Sequence, residues 1–238
     1  MNLAGIDAYV VRARIAPLTL VITPFLIFIS AISFPLSAWN ATWPVFGFAI
    51  ILLVAELGRD LGKRLEPELW RSWGGAPTTV MLRYRAASNR VIVDDRHRRV
   101  ERAVGGITLP TVDEEVADPS AADDAYETAV AVLRSRTQDS TKFPRVYSEN
   151  VSYGFRRNVY GLRRWGVGSC AATLFCCLAA VAPLYRSGGI PATMVLALPL
   201  VAAASALWLW RRVNTAWVKV PADAYAERIM HAASELAE

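Results

Sequence analysis

The chain has 238 residues, 54% of them apolar, and its 26 basic against 21 acidic residues give a formal charge of +5. The apolar residues are gathered in four blocks, Ile15–Phe34, Pro44–Leu57, Trp165–Tyr185 and Ile190–Trp210, which excludes an ordinary soluble domain. Cys170, Cys176 and Cys177 all fall in the third block without metal-ligand spacing to a histidine, so they are expected to be small packing residues.

A helix rises about 1.5 Å per residue, and the hydrocarbon core of a bilayer is about 30 Å thick. Ile15–Phe34 is uncharged and long enough to span. Its length, and the lack of a small-x-small cleavage site after it, speak against a signal peptide. Pro44–Leu57 covers only roughly 21 Å on the same rise and contains Glu56, yet it must return the chain. Tilt or local thinning can absorb the mismatch. The third and fourth blocks carry no charge.

Basic residues orient these spans. Arg12 and Arg14 precede the first; Arg59, Lys63 and Arg64 follow the second; Arg156, Arg157, Arg163 and Arg164 precede the third; Arg211, Arg212 and Lys219 follow the fourth. The link Pro35–Trp43 is uncharged, and the link Arg186–Gly189 holds only Arg186. Both termini and the central region are therefore expected on the cytoplasmic side. The expected fold is an all-α membrane protein with four transmembrane helices in two hairpins. A first hairpin occupies residues 1–58, an arginine-rich, mainly helical cytoplasmic module 59–164, a second hairpin 165–212, and a cytoplasmic C-terminal helix 213–238.

Within the module, Leu57, Leu61, Leu65, Leu69 and Trp73 recur every four residues, an apolar stripe that extends the second span as an amphipathic helix. Pro67 predicts a kink or two shorter helices, and Gly74-Gly75 a stop. Ala76-Pro77-Thr78-Thr79 can start a helix, while the alternation through Val80, Leu82 and Tyr84 also allows a strand. Val91–Val93 is a short β-branched run, followed by a helix from Asp94 to Val104. Asp118 caps a helix with Pro119 in its first turn and Ala122, Ala125, Tyr126, Ala129, Val130 and Leu133 on one face. Val151, Phe155, Val159 and Leu162 line another that runs on into the third span. Pro221 is expected to start a final helix with Tyr225, Ile229, Ala232, Ala233 and Leu236 on one face.

Charge is segregated along the module. Arg83, Arg85, Arg90, Arg96, Arg98, Arg99 and Arg102 form a basic block. Asp113, Glu114, Glu115, Asp118, Asp123, Asp124 and Glu127 form an acidic one. Guanidinium forks bind phosphate bidentately, so the seven arginines are candidate phosphate ligands. Pairing between the two blocks is the competing account. The arginines from Arg156 to Arg164 are assigned to the membrane surface. There is no glycine-rich phosphate loop, no nucleophile elbow and no paired metal motif. His97, among Asp94, Asp95 and Arg98, is expected on a solvated helix face. Glu56 is the ionisable residue nearest a span interior, and with Arg59 it is the candidate for a pore or gate.

Two spans, a mid-sized cytoplasmic region and two more spans, together with Leu65-Glu66-Pro67-Glu68-Leu69-Trp70 and Trp73-Gly74-Gly75-Ala76-Pro77-Thr78-Thr79, make a layout that resembles the bacterial four-transmembrane effectors of nucleotide-signalled anti-phage systems, such as the Hailong membrane effector. The resemblance implies a homo-oligomer in the inner membrane that opens a pore when a nucleotide or oligonucleotide binds, with a functional link to a nucleotidyltransferase. It implies no cofactor, no metal and no enzymatic activity, and it assigns no residue a role. Two other readings compete with it: a non-conducting scaffold or anchor that recruits a cytosolic partner through the acidic block and the tail helix, and a lipid-directed enzyme using Glu56.

Overall fold

The structure, a computed structural model, describes residues 10–33, 43–186 and 192–237, and of residues 43–57 the helix but not the side chains. Every regular element among the described residues is helical, and none is a strand. The described residues divide into two compact units. One joins those up to Leu65 with Gly154–Trp217, and the other joins Glu66–Tyr153 with Val218 onward. The boundaries differ from the division at 58/59 and 164/165, and most of the C-terminal helix groups with the module.

The first unit contains a π-helical turn, Val10–Ile15, leading into α1 (Ala16–Ser33). It also holds most of α2 (Trp43–Ser72), most of α7 (Pro144–Arg186) and all of α8 (Ala192–Trp210). Among the described residues two helices are long and apolar enough to cross a membrane, Val11–Ile32 and α7, or three if α8 and the helix after it count as one bent span. The expected second span, 44–57, lies where side chains are outside the described residues. Large apolar side chains of α7 and α8 face outward: Phe175 is 72% and Met194 73% exposed. A water-soluble fold would hide such residues, whereas lipid makes no such demand. The first unit is membrane-associated.

Glycines set how its helices meet. Gly58 and Gly62 are one turn apart on α2. A Cβ on Gly161 of α7 would lie 2.9 Å from the Gly62 nitrogen, and one on Gly62 would lie 2.2 Å from Asn158 Oδ1. The backbones therefore approach closely in the way small residues permit between membrane helices. Asn158, buried at this crossing, donates from Nδ2 to the Ala13 carbonyl (2.7 Å) in the π-helical turn. Gly166 makes room for the Trp210 ring, which would sit 2.1 Å from an added Cβ. Cys170 packs with Leu18, Leu162 and Trp210, and Cys177 with Phe28 and Leu196, as expected of small core residues.

The second unit begins where α2 ends. The Gly75 amide reaches back to the Trp70 carbonyl (2.8 Å) and the Gly74 amide to that of Arg71 (3.3 Å). Gly74 has φ +83°. This is a Schellman ending, which needs a residue at ease in the left-handed region. Pro67 lies inside α2, which is one helix and not two. Short α3 (Pro77–Val80) and a 3-10 turn (Tyr84–Ala86) follow, so the chain from Val80 to Tyr84 is not a strand. Pro77 sits in the first turn of α3 and favours the helical start.

The next helix, α4 (Arg90–Val104), takes in Val91–Val93 as well, because the Asn89 side chain accepts from the Val91 amide (3.0 Å) and starts it earlier. It ends at Gly105, φ +68°. A helix not foreseen, α5 (Val112–Ala117), is held by a capping box between Thr111 and Glu114. The Asp118 carboxylate caps α6 (Pro119–Arg136) by accepting from the Ser120 and Ala121 amides. The last helix, α9 (Thr215–Leu236), is capped by Asn214, which accepts from the Trp217 amide (2.9 Å). Pro221 is thus inside this helix and does not open it. The core of the unit gathers Leu82, Val100, Tyr126, Leu133 and Phe143, with Ile229, Ala232 and Ala233 of α9 packed among them.

Candidate functional site

Opposite charges from distant parts of the sequence meet in the second unit. Glu115 on α5 is 1% exposed, and an unpaired carboxylate there would be costly. Its oxygens accept from the amides of Tyr84 and Arg85 (each 2.9 Å), from the Tyr126 hydroxyl (2.7 Å) and from Arg85 Nη1 (3.2 Å). Asp123, in the second turn of α6, accepts from Arg83 Nε (2.7 Å) and Nη2 (2.9 Å), and from Arg85 Nη2 (2.6 Å). Arg83 also donates through Nη1 to the Gly74 carbonyl, and its guanidinium lies over Gly75, where any Cβ would meet it at 2.8 Å. One arginine thus ties the end of α2 to α6.

The electrostatics follow from these partners. Burial alone would raise the Glu115 carboxyl, but the Tyr126 hydroxyl, the two amides and Arg85 more than offset it and hold it below its usual value. Asp123 is likewise held low, Arg83 and Arg85 outweighing burial. Tyr84 is pushed up to about 12 by burial and by donating to Asp94 (2.7 Å). His97 is buried, not solvated: its Nε2 lies 2.7 Å from the Leu82 carbonyl, and its ring sits between those of Tyr84 (4.9 Å) and Tyr126 (5.4 Å). Burial lowers its pKa.

The seven candidate phosphate ligands are therefore spread over different tasks. Arg83 and Arg85 are engaged by carboxylates. Arg96 donates to the Met81 carbonyl (3.1 Å), Arg98 and Arg99 pair with Asp95, and Arg102 donates to the Arg98 carbonyl (3.2 Å). Arg90 is exposed at the start of α4, with no ion pair among the described residues. None of the seven lines the α7–α9 cavity at Lys142–Val146 and Arg228–Glu235 or the one at Val21–Phe25 and Arg164–Ala172. Of the pore candidates, Glu56 lies on α2 with its side chain outside the described residues, and Arg59 pairs with Asp60 (3.2 Å).

Arginines assigned to the membrane surface have protein partners in the first unit. Arg156 donates to the Trp217 carbonyl (2.9 Å) and stacks on that indole, Arg163 donates to the Val213 carbonyl (3.2 Å), and Arg157 is buried. Arg156 and Arg163 thereby hold the turn between α8 and α9. No group of acidic, histidine and cysteine side chains among the described residues could hold a metal ion.

Chemically, the Glu115–Asp123 cluster is a folding device: each carboxylate is saturated by donors, and no nucleophile stands beside a free base. Its arginines and acids stand 30 to 40 residues apart, so no local spacing reveals the pairing. The Thr111-Val112-Asp113-Glu114 capping signature was the available signal for α5, and so for Glu115. Comparison with family models, with curated proteins and with solved structures finds no match for this chain.

Proposed function

We propose that the protein is an oligomeric effector of the bacterial inner membrane, opened by a nucleotide or oligonucleotide signal in anti-phage defence. The second unit is then the cytoplasmic sensor, the first the four-span membrane part, and a nucleotidyltransferase the source of the signal. One observation carries this reading. The 43-residue helix α7 supplies its first ten residues to the second unit and the remainder to the first. A ligand that prefers one arrangement of the sensor then biases the same helix within the bilayer, by its difference in affinity for the two states. Purified protein in liposomes loaded with a self-quenching dye, exposed to linear and cyclic oligoadenylates and to nucleoside triphosphates, should release dye with at least one of them. No release from a properly oligomeric sample would remove the proposal.

A non-conducting scaffold is the second reading. It is favoured by Val116, 75% exposed in the acidic block, and by Val91, 69% exposed on α4. It predicts a bound cytosolic protein that is lost with Val116→Glu, and no change in membrane potential on overexpression.

A further inference from the structure

A second set of basic side chains lies elsewhere in the second unit. A cavity of about 560 Å³ opens between the start of α7 and the last turns of α9. Its wall carries Lys142, Arg145, Arg228 and His231, with Glu235 the one carboxylate among its lining residues and Phe143 forming part of its apolar wall. Arg145 and Arg228 form no ion pair among the described residues, while the charge of Lys142 is offset in part by Asp139, which accepts from the Lys142 amide (3.3 Å). That contrasts with Arg83 and Arg85, each held by a carboxylate. Like charges crowded in one concavity repel unless an anion is present, and a concavity focuses their field on whatever enters.

We propose that this groove binds a soluble, phosphate-bearing anion of nucleotide size, with Arg145 and Arg228 as guanidinium forks on the phosphates and Lys142 as a third cation. Guanidinium groups suit phosphate because their paired N–H donors match its oxygens. The cavity falls within the range of small-molecule sites, about 300–1,000 Å³, and leaves room for a group beyond the phosphates. Glu235 would face that remainder and reject a ligand charged throughout. The inference rests on reading this unit as a ligand sensor, but it moves the site from the arginines of 83–102 to the α7–α9 groove. Because α7 starts at the groove, the ligand would touch the same helix that continues into the membrane unit.

The test uses the full chain in phosphatidylcholine nanodiscs, with a fluorescent ATP analogue followed by anisotropy and competed by ATP and by inorganic pyrophosphate. Saturable binding is expected, weakened at least tenfold by Arg145→Ala with Arg228→Ala and unchanged by Arg71→Ala, an exposed arginine of the same unit outside the groove. Glu235→Gln, which removes the opposing charge, is expected to tighten pyrophosphate binding two- to fivefold. That arm stands even if the double variant folds poorly. Equal affinity in wild type and double variant, or no saturable binding at millimolar probe, overturns the proposal. So does binding seen only with phosphatidylglycerol vesicles, which would assign the cations to lipid headgroups. Nucleotide binding without dye release would sink the pore and leave the groove standing. Release that ignores both groove variants would do the reverse.

Discussion

Each unit is held together within itself, and the two use opposite means. In the first, helices meet where side chains are missing: Gly62 against Gly161, and Gly166 beneath Trp210. In the second, they meet where charges are present: Glu115 and Asp123 bind the segment 83–85 to α5 and α6. The difference suits the surroundings proposed for each, lipid for the first and water for the second. Lipid offers helices no hydrophobic gain on association, so close backbone packing has to supply the attraction. A water-exposed unit has that gain from its apolar core and can use buried charge for another purpose, to fix which segments meet. Whether such a pair adds net stability is a separate matter.

Breaking the charged unit should have the largest effect. Glu115→Ala leaves the Tyr84 and Arg85 amides, the Tyr126 hydroxyl and one face of Arg85 without their acceptor. Arg85 is partly exposed and can turn to water, but each buried donor left without an acceptor costs about 1–3 kcal/mol. Thermal melting followed by near-ultraviolet circular dichroism should show the tyrosine signal lost well below the wild-type transition, with the far-ultraviolet helix signal partly kept.

Acid should act on the same residues more gradually. The folded pKa values of Glu115 and Asp123 lie below their ordinary ones, so the stability they contribute is complete above the carboxylate range and is lost as pH falls through the folded values. His97 is also depressed: below its ordinary 6.5 the unfolded chain takes a proton that the folded one resists, so stability falls there too. Titrated downward from neutrality, the second unit should loosen in a shallow step and then a steep one, while the apolar helices of the first keep their signal. A second unit that gains stability on acidification would contradict the pairing.

Overfilling the glycine crossing comes next. Gly62→Val places methyl groups where Asn158 and α7 already stand, and overpacking costs about 1–3 kcal/mol. Melting in detergent should drop accordingly, and a charge-neutral change at Lys63, exposed on the same helix, should not reproduce it. Thr111→Ala should be the mildest, about 1 kcal/mol for a lost cap, read as faster amide exchange confined to Val112–Ala117.

Much of the second unit was legible because its helix ends are local. Asp118 with Pro119, the stop at Gly74-Gly75 and the stop at Gly105 each follow from one or two residues. The misreadings also came from local cues that lost to stronger ones. Val91–Val93 stood as a β-branched run ahead of the helix from Asp94, but Asn89 caps the turn before it, and Pro221 looked like a start although Asn214 already supplied one. His97 was expected in solvent because its neighbours in sequence are charged. Its neighbours in space are Tyr84, Tyr126 and the Leu82 carbonyl, which sequence adjacency does not reveal. The two charge blocks were visible as blocks. That Arg83 and Arg85 share Asp123 was not, because any of several acids fits the same rule. The Gly58-x-x-x-Gly62 spacing was readable, but the leucine stripe on the same helix was the louder pattern.

The stretch Trp73-Gly74-Gly75-Ala76-Pro77 stood out in the sequence as though it marked a site. In the structure its two glycines reverse the chain beneath Arg83, whose guanidinium is shared between the Gly74 carbonyl and Asp123. These four positions, 74, 75, 83 and 123, should therefore be inherited together. A descendant that replaces Asp123 is expected to release Arg83 as well, and once Arg83 is gone the space over Gly75 is no longer guarded. Deep mutational scanning would show this as a block of linked intolerance, with single changes at 83 or 123 partly rescued by a matching change at the other.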